Sequence, residues 1–557
     1  APAKKITQHA RALVEQHGAH DAREQLGGVL SQSDKNAARH VQSVVKRFGL
    51  DLPVPISTFV YEEQGDTVAM PYLRPGDFLK TLMELHSDLL LGGYTAGSIA
   101  ATRMLEVFWQ NYSLEHAAHP VVEMPRDLQK VGSGKARDPA AQRLNCRHNS
   151  YLQKFLLFAY PSKHYPKMPG LLRAFHKLIC QQLAAVCATG IVVNDRRYFF
   201  GIIGYKGDFE YHAKLVDYTR NYSHLGRVRE IGCCPECAAG TPGIPFEDIS
   251  ANASWTATVC QDLPWRSPPP VTDIGFDSWY TLPSQAARFF RRDPFHVFRH
   301  GVGRNFAASC LILLANFGVF DDQEPGSSKS FESRMGRAWG SLMLFCSVQK
   351  LHISGMRSFS RDKVHYGKGM TFPYFSCKGS DTIILLKWLA VVVGVQLNLA
   401  VDASYVKVLE HMQTGIEGGL EFSQGIFGHG VWLRSSCVLH LRKALQKFGS
   451  SYAHLAQFCV FKGWSLFGML TKFHSLMHFK HDFESSLRVQ RQWTLNPACY
   501  DCSLNEDFIG AVARQSRRIS YKHGGVFETT LLRHYLLKAR FTIRKFRKNN
   551  NFRPARR

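Results

Sequence analysis

Residues 190–208, GIVVNDRRYFFGIIGYKGD, hold the pattern that decides the fold prediction. Two runs rich in β-branched and aromatic residues, 191–193 and 197–204, flank Asn194-Asp195, a pair that favours a turn, so two strands are predicted. The second strand continues into Gly207-Asp208, which places a carboxylate at its end. Before the strands, apolar residues from Leu171 to Leu183 recur at helical spacing. The stretch is therefore predicted to run helix, strand, turn, strand and to end in an acid.

The composition indicates a large, basic, globular chain. Its 557 residues, 45% of them hydrophobic, are enough for two to four domains with real cores. Lys and Arg total 69 against 44 Asp and Glu, which gives a formal net charge of +25. An excess of this size favours a polyanionic partner, because each neutralised phosphate releases counterions. The charge alone does not distinguish DNA from RNA or a membrane surface.

Two features bear on location. The apolar stretch 382–401 is interrupted by Lys387, Gln396 and Asn398, so it predicts a buried core helix and no membrane association. The first residues, APAKK, contain no apolar segment of a secretory signal. An intracellular, nuclear protein is expected.

Five segments are predicted along the chain. Residues 1–150 form a mostly helical N-terminal region, 151–300 the first part of an α/β core with a Cys-rich loop, and 301–470 a helical insertion. Residues 471–539 complete the core, and 540–557 form a basic tail. Within the insertion, loops are expected at Gly379–Asp381 and Gly415–Gly430 because glycine is a poor helix former.

Three motifs follow one another in the chain. The first is Gly207-Asp208, followed by Cys233-Cys234-Pro-Glu-Cys237; the second is Asp293-Pro-Phe-His296, which opens an apolar helix. The third is Lys472-Phe-His474-Ser-Leu-Met-His478, followed by Asn505-Glu506 at the start of a helix. Each motif is weak alone, so their common order carries the argument.

In this order the motifs resemble those of CACTA-type transposases and their Plavaka-like relatives, over about 150–520. The resemblance implies an α/β fold in which an RNase H-like mixed sheet core is interrupted by a large all-α insertion. It implies Asp208, Asp293 and Glu506 as the catalytic carboxylates that bind two Mg²⁺ or Mn²⁺ ions, and it implies metal-dependent cleavage and strand transfer of DNA. The alternative is a catalytically inert, domesticated DNA-binding protein. A homo-oligomer is possible in both cases. The supporting residues would be His296, Lys472, His474 and His478.

Three carboxylates suit this chemistry because two hard divalent cations about 3.5–4 Å apart clamp the attacking and leaving oxygens. Structural roles would explain the same residues. Asp293-Pro294 is a good helix start, Ser503 to Glu506 fits a capping box, and Gly207-Asp208 suits a turn. Alternative acids lie close to the proposed ones: Asp195, Asp482, Glu484 and Asp507.

Cys234 and Cys237 have the spacing of a structural zinc site, which needs four ligands, with a pair of unliganded thiols as the alternative. The sequence leaves the other two open among five residues: Cys233, Cys260, His212, Cys499 and Cys502. His474 and His478 share one face of a helix, and the interpretation favoured for them is core packing or phosphate contact, with metal binding as the alternative.

Two groups of basic residues are candidates for DNA backbone contacts, with a solvated surface as the alternative. The first follows Glu506 on its helix and comprises Arg514, Arg517 and Arg518. The second lies in the basic tail and comprises Arg544, Lys545, Arg547 and Lys548.

Overall fold

The protein is described from a computed structural model. It covers residues 49–116, 149–160, 168–224, 231–267, 288–519 and 526–548, apart from gaps at 92, 323 and 368–370, together with residues 45, 139 and 269. The chain divides into two compact units. Unit 1 comprises 1–101, 145–200 and 504–557, and unit 2 comprises 102–144 and 201–503. These boundaries differ from the five predicted segments, because residues distant in the chain pack together.

The described elements of unit 1 are helices and two hairpins. They are β1 (Ile56–Glu63), β2 (Asp66–Leu73), α1 (Pro75–Leu90), α3 (Leu171–Thr189), β3 (Ile191–Val193), β4 (Arg196–Tyr198) and α12 (Val526–Lys548). The helix α2 (Ile99–Glu115) and the helix α11 (Ser503–Ser516) each cross the boundary between the units. The predicted helix and the hairpin around Asn194-Asp195 are confirmed, with both turn residues at positive φ. The second strand ends at Tyr198 instead of continuing through 204, and Tyr205–Lys206 form a separate strand with another partner, which corrects the prediction.

The described part of the N-terminal region contains a β-hairpin beside its two helices, which the prediction did not include. β1 and β2 pair antiparallel over eight residues, joined by a two-residue turn at Gln64-Gly65. Both turn residues have positive φ, 53° and 87°, the backbone that a tight hairpin requires. The alternating burial of β1 is the pattern of a strand with one packed face. Most of the rest of the predicted region, 1–44 and 117–148, lies outside the described residues.

The predicted basic tail also begins too early. α12 continues to Lys548, because Leu532, Leu536, Ala539 and Ile543 form a helical stripe that is buried in the core of unit 1. Residues 540–548 are therefore the last turns of a packed helix, and 549–557 lie outside the described residues.

Unit 2 combines short strands with a large helical part. Its strands are β5 (Tyr205–Lys206), β6 (Phe290–Arg291), β7 (Trp432–Arg434) and β8 (Trp493–Leu495). Its other helices are α4 (Phe209–Val216), α5 (Gly303–Asn316), α6 (Phe331–Val348), α7 (Gly379–Leu399), α8 (Ala403–Gly428), α9 (Ser435–Phe461) and α10 (Thr471–Arg488). A π-helical segment, Phe295–Val302, leads into α5.

The protein is helix-rich with few, short strands, as far as the structure describes it. Its described strands form four separate two-stranded pairs, so no mixed sheet of several strands is seen among them. β5 and β6, the parallel pair within the predicted core segment 151–300, are each only two residues long.

The longest predicted loop is helical, which corrects the prediction for Gly415–Gly430. Gly415 to Gly428 belong to α8, which packs closely against α9. A Cβ on Gly418 would lie 2.6 Å from the carbonyl oxygen of Ala444, and one on Gly425 would lie 2.4 Å from Leu441. Glycine is therefore present here to allow two helices to approach, not to end a helix. Gly379–Asp381 likewise begin α7 rather than form a loop.

α7 is long and apolar enough to cross a membrane by length and composition. In the structure it packs against α5, α6 and α8, with Leu385, Leu386 and Trp388 buried and Val391 and Val395 half-exposed.

Candidate metal centre and carboxylate edge

A tight loop brings two cysteine sulfurs together. The amide of Cys233 donates to the carbonyl of Ala239 (2.9 Å), and Gly240 takes a positive φ of 88° to close the turn. The amide of Glu236 points at the sulfur of Cys234 (3.4 Å). These amides hold the loop so that the sulfurs of Cys234 and Cys237 face the same side.

Helix α10 supplies two imidazoles to the same point. His474 and His478, one turn apart, both present Nε2 to the sulfurs. The Sγ of Cys237 lies 3.2 Å from His474 Nε2 and 3.5 Å from His478 Nε2, and the Sγ of Cys234 lies 3.4 Å from His478 Nε2. The two Nε2 atoms are 3.1 Å apart. All four ligand atoms lie within 4.8 Å of one another, and all four residues are buried.

These distances suit a tetrahedral ion. With Zn–S near 2.3 Å and Zn–N near 2.0–2.1 Å, ligand atoms of a tetrahedral zinc site lie roughly 3.3–3.8 Å apart. The observed separations are close to that range. The cluster can therefore hold a metal such as zinc, and its two sulfurs and two nitrogens are the donor set of many structural zinc sites.

The surroundings orient the ligands. The Nδ1 of His474 lies 3.0 Å from the carbonyl oxygen of Phe246, which fixes Nδ1 as the donor and leaves Nε2 for the metal. The ring of Trp255 packs 4.8 Å from each imidazole. Burial and the charge of Cys234 raise the pKa of the Cys237 thiol, whereas the hydrogen bond from Cys237 and the charges of the histidines outweigh burial and hold the pKa of Cys234 well below its usual range.

The structure places both histidines in the cluster, as the metal-binding alternative requires, and both are also buried in the core. The cluster contains none of the five residues left open, Cys233, Cys260, His212, Cys499 and Cys502. It contains His474 and His478, for which core or phosphate contact was favoured. The i,i+4 spacing was the only signal that could have found them.

A second feature of unit 2 is the carboxylate edge, defined as Asp208 and Asp293. β5 and β6 are adjacent and parallel, with Tyr205 opposite Phe290 and Lys206 opposite Arg291. Each acid stands two residues beyond the last paired residue of its strand, so the two occupy matching positions. Both line one cavity, together with His212 and His296.

Asp293 is buried and heavily hydrogen-bonded. Its Oδ1 accepts from the amides of Phe295 (2.9 Å) and Cys502 (3.0 Å). Its Oδ2 accepts from the amide of His296 (3.3 Å) and lies 2.5 Å from His296 Nδ1. A carboxylate has about four lone-pair sites, so these contacts occupy its capacity. Asp293 thus has the predicted helix-start role.

Asp208 also caps a helix. Its Oδ1 accepts from the amide of Tyr211 (2.7 Å) at the start of α4. Glu506 lies in the first turn of α11 and belongs to unit 1, whereas Asp208 and Asp293 belong to unit 2. At Ser503, the amide and the hydroxyl both donate to Asp501.

Asp501 is an acid that the sequence interpretation missed. It precedes Cys502, whose amide binds Asp293, and its carbonyl accepts from Lys206 Nζ (2.8 Å). Its Oδ2 is buried without a hydrogen-bond partner. Burial and the charge of Asp293 raise its pKa. Of the alternative acids, Asp482 pairs with Arg292 and Asp507 accepts from Ser150 (2.7 Å).

Basic and neutral groups accompany the carboxylate edge. Lys472 donates to the carbonyl of His300 (3.2 Å); burial and the charge of Arg304 lower its pKa to about 8, against the opposing charges of Asp208 and Asp293. Burial lowers the pKa of His212 to about 4, and its Nε2 has no hydrogen-bond partner. The charges of Asp208 and Asp293 thus act on the pKa of both side chains and oppose the effect of burial.

Among the residues predicted to contact DNA, those whose side chains the structure describes are all exposed at the surface. Arg514 is exposed in the last turn of α11, but Arg517 and Arg518 follow the end of that helix and are not on it. Arg544 and Lys545 are exposed, and Arg544 donates to the carbonyl of Gly49 (3.2 Å). Arg547 and Lys548 belong to α12.

Comparison with known proteins found no counterpart. No protein-family model, no curated protein and no solved structure matches the chain.

Proposed function

We propose that the protein is a DNA-handling enzyme of transposase type that cleaves phosphodiester bonds with divalent cations at the carboxylate edge. The observation that carries the proposal is the parallel pair β5–β6, in which each of two neighbouring strands is followed, two residues later, by an aspartate. In this proposal the pair is the centre of an RNase H-like core, and the helices α5 to α9 are its insertion. Two hard cations held between such carboxylates would polarise the phosphate and activate water.

The chain's own groups would contribute positioning and charge. Asp208, whose Oδ1 accepts one backbone amide, would offer its remaining acceptor capacity to a cation. Lys472, which is close enough to feel both acids, would meet the phosphate as a cation. The Cys234/Cys237/His474/His478 cluster would hold a structural zinc ion and take no part in the reaction, because a closed four-ligand site leaves no position for substrate.

A second candidate function is a catalytically inert DNA-binding protein on the same scaffold. The observation in its favour is the carboxylate of Asp293, whose four acceptor sites already serve backbone amides and His296. A plasmid-nicking assay distinguishes the two functions. The enzyme should nick with Mg²⁺ or Mn²⁺ and much less with Ca²⁺, whereas the inert protein should bind DNA without nicking it under any of the three.

Comparing Asp501→Asn with Glu506→Gln should show which of the two acids is the third metal-binding carboxylate. Asp501 lies in unit 2 and has a buried oxygen without a partner, so we expect its replacement to reduce cleavage by about 10²-fold or more. Asn retains an oxygen for the bonds from Ser503, so folding should survive. Initial nicking rates of both variants, with melting curves, are the measurement. If only Glu506→Gln loses activity, Glu506 is the third ligand, as the family resemblance implies.

DNA binding is expected to be strongly salt-dependent. With a formal charge of +25, binding should be dominated by phosphate contacts, and log K should fall linearly with log salt. Fluorescence anisotropy with duplex DNA at several salt concentrations between ~50 and ~200 mM gives the slope. Over this range, the affinity of a protein that makes 6–10 phosphate contacts falls by ~10³–10⁵-fold. Replacing Arg514, Arg517 and Arg518 together by Gln should make the slope shallower, by an amount that corresponds to the loss of up to three phosphate contacts. A slope near zero would exclude phosphate-driven binding.

A further inference from the structure

Arg292 joins the metal cluster to the carboxylate edge. Its guanidinium makes ion pairs with the carboxylates of Glu236 and Asp482. Glu236 stands between the two cysteine ligands in the loop, and Asp482 lies one turn beyond His478 on α10. Arg292 therefore binds one acid from each of the two elements that supply the metal ligands.

This arginine is enclosed at the point of contact. The side chains of Arg292 and Glu236 are 12% and 10% exposed, whereas that of Asp482 is 42% exposed. The guanidinium also stacks 5.2 Å from the ring centre of Phe479 on α10. A guanidinium in such surroundings remains in place only while both carboxylates are present to balance its charge. Its position thus depends on the loop and on α10 staying together.

The residue after Arg292 is Asp293. Arg292 pairs with the two acids beside the metal cluster, whereas Asp293 accepts from the amides of Phe295, at the start of the π-helical segment, and of Cys502. Fixing the guanidinium fixes the backbone that carries both residues. Separation of the loop from α10 would release Arg292 and with it the orientation of Asp293.

We propose that Arg292 is a positioning residue through which occupancy of the Cys234/Cys237/His474/His478 cluster sets the placement of Asp293. The proposal rests on the proposed function in so far as Asp293 binds a catalytic cation. It has a thermodynamic consequence: an ion in the cluster and a divalent cation at the carboxylate edge should favour each other's binding by the same factor.

A second arginine provides a matched control. The Nε of Arg220 donates to the carbonyl of Cys234 (3.1 Å), and its other nitrogens bind Asp262 at 2.6 and 3.0 Å. Arg220 thus contacts the same cysteine loop, and its ion pair is with Asp262 instead of Glu236 and Asp482. Its replacement should disturb the loop to a similar degree and leave the coupling to Asp293 intact.

The test uses the full chain with zinc bound and after partial removal of zinc by a chelator, in the wild type, Arg292→Met, Arg292→Lys and Arg220→Met. Zinc content, Mn²⁺ affinity by electron paramagnetic resonance, and hydrogen exchange of residues 293–302 are measured. In the wild type, removing zinc should weaken Mn²⁺ binding by about tenfold, within the usual range of coupling, and speed exchange at 293–302. Arg292→Met should show both effects with zinc still bound, and Arg292→Lys, which retains the charge, should be intermediate. Arg220→Met should behave as the wild type.

Wild-type exchange at 293–302 in zinc-loaded Arg292→Met would overturn the proposal. If Arg292→Met does not retain zinc, Glu236→Gln and Asp482→Asn each remove one arm of the clamp, and unchanged exchange in both would overturn it equally. Exchange that responds as expected while no form binds Mn²⁺ would support the clamp and refute the proposed function, so the two failures are distinguishable.

Discussion

Cys237→Ser is expected to abolish stoichiometric zinc binding and to lower the melting temperature of unit 2 more than any other single change discussed here. Cys237 is fully buried and its sulfur contacts imidazoles more than 230 residues further along the chain. Structural zinc sites contribute about 10–16 kcal/mol of apparent binding free energy at pH 7. Because an entire domain is stable by only about 5–15 kcal/mol, losing even part of that binding free energy should lower the stability of unit 2 markedly.

Zinc content and melting curves of the purified chain are the measurements. Cys233→Ser is the matched control, because Cys233 is a buried neighbour in the same loop that is not one of the four ligands. The control should bind one zinc ion per chain and lose far less stability. A Cys237→Ser protein that binds zinc normally and melts with the wild type would refute the metal centre.

Asp208→Asn is expected to abolish metal-dependent cleavage, with a loss of about 10²–10³-fold or more. The uncharged side-chain amide of Asn cannot replace the negative charge that a divalent cation requires. It can still accept the amide of Tyr211, since Asn caps helices as well as Asp does. Folding and salt-dependent DNA binding should therefore survive, and initial nicking rates with Mn²⁺ measure the effect.

Asp293→Asn should also eliminate cleavage, but it is the less informative variant. An Asn side chain can accept only at its oxygen, so donors that now meet Asp293 would face an NH₂ group and the fold would be weakened as well. Asp402→Asn is the matched control for both, because Asp402 caps α8 through the same kind of contacts with Ser404 and Tyr405. Cleavage that persists at the wild-type rate in Asp208→Asn would exclude the carboxylate edge as the active site.

Local features were predictable because their causes lie within a few residues. The helix of 171–189 follows from apolar spacing, and the hairpin of 191–198 follows from two β-branched runs around Asn194-Asp195. The helix start at Asp293-Pro294 follows from the same kind of rule. In each case the residues that decide the structure are neighbours in the chain.

Predictions failed where a local rule met a distant partner. Glycines that favour a loop in isolation are helical in α8, because α9 approaches too closely for a side chain at Gly418. The basic tail begins later than its charge indicated, because the apolar stripe of α12 that ends at Ile543 is buried in the core of unit 1. Propensity and charge describe a segment alone, and packing overrides both.

The sequence by itself determined that the chain is basic, that Asp208 and Asp293 follow strand and helix-start patterns, and that Cys234 and Cys237 can share a metal. Only the tertiary structure decided which residues complete that site, because His474 and His478 reach it through the packing of α10 against a loop more than 200 residues earlier. It also decided that Asp208 and Asp293 line one cavity, since β5 and β6 become neighbours only by pairing Lys206 with Arg291, 291 − 206 = 85 residues further along the chain. Spacing along a chain specifies local geometry, whereas the free energy that brings distant ligands together comes from burying apolar surface around them.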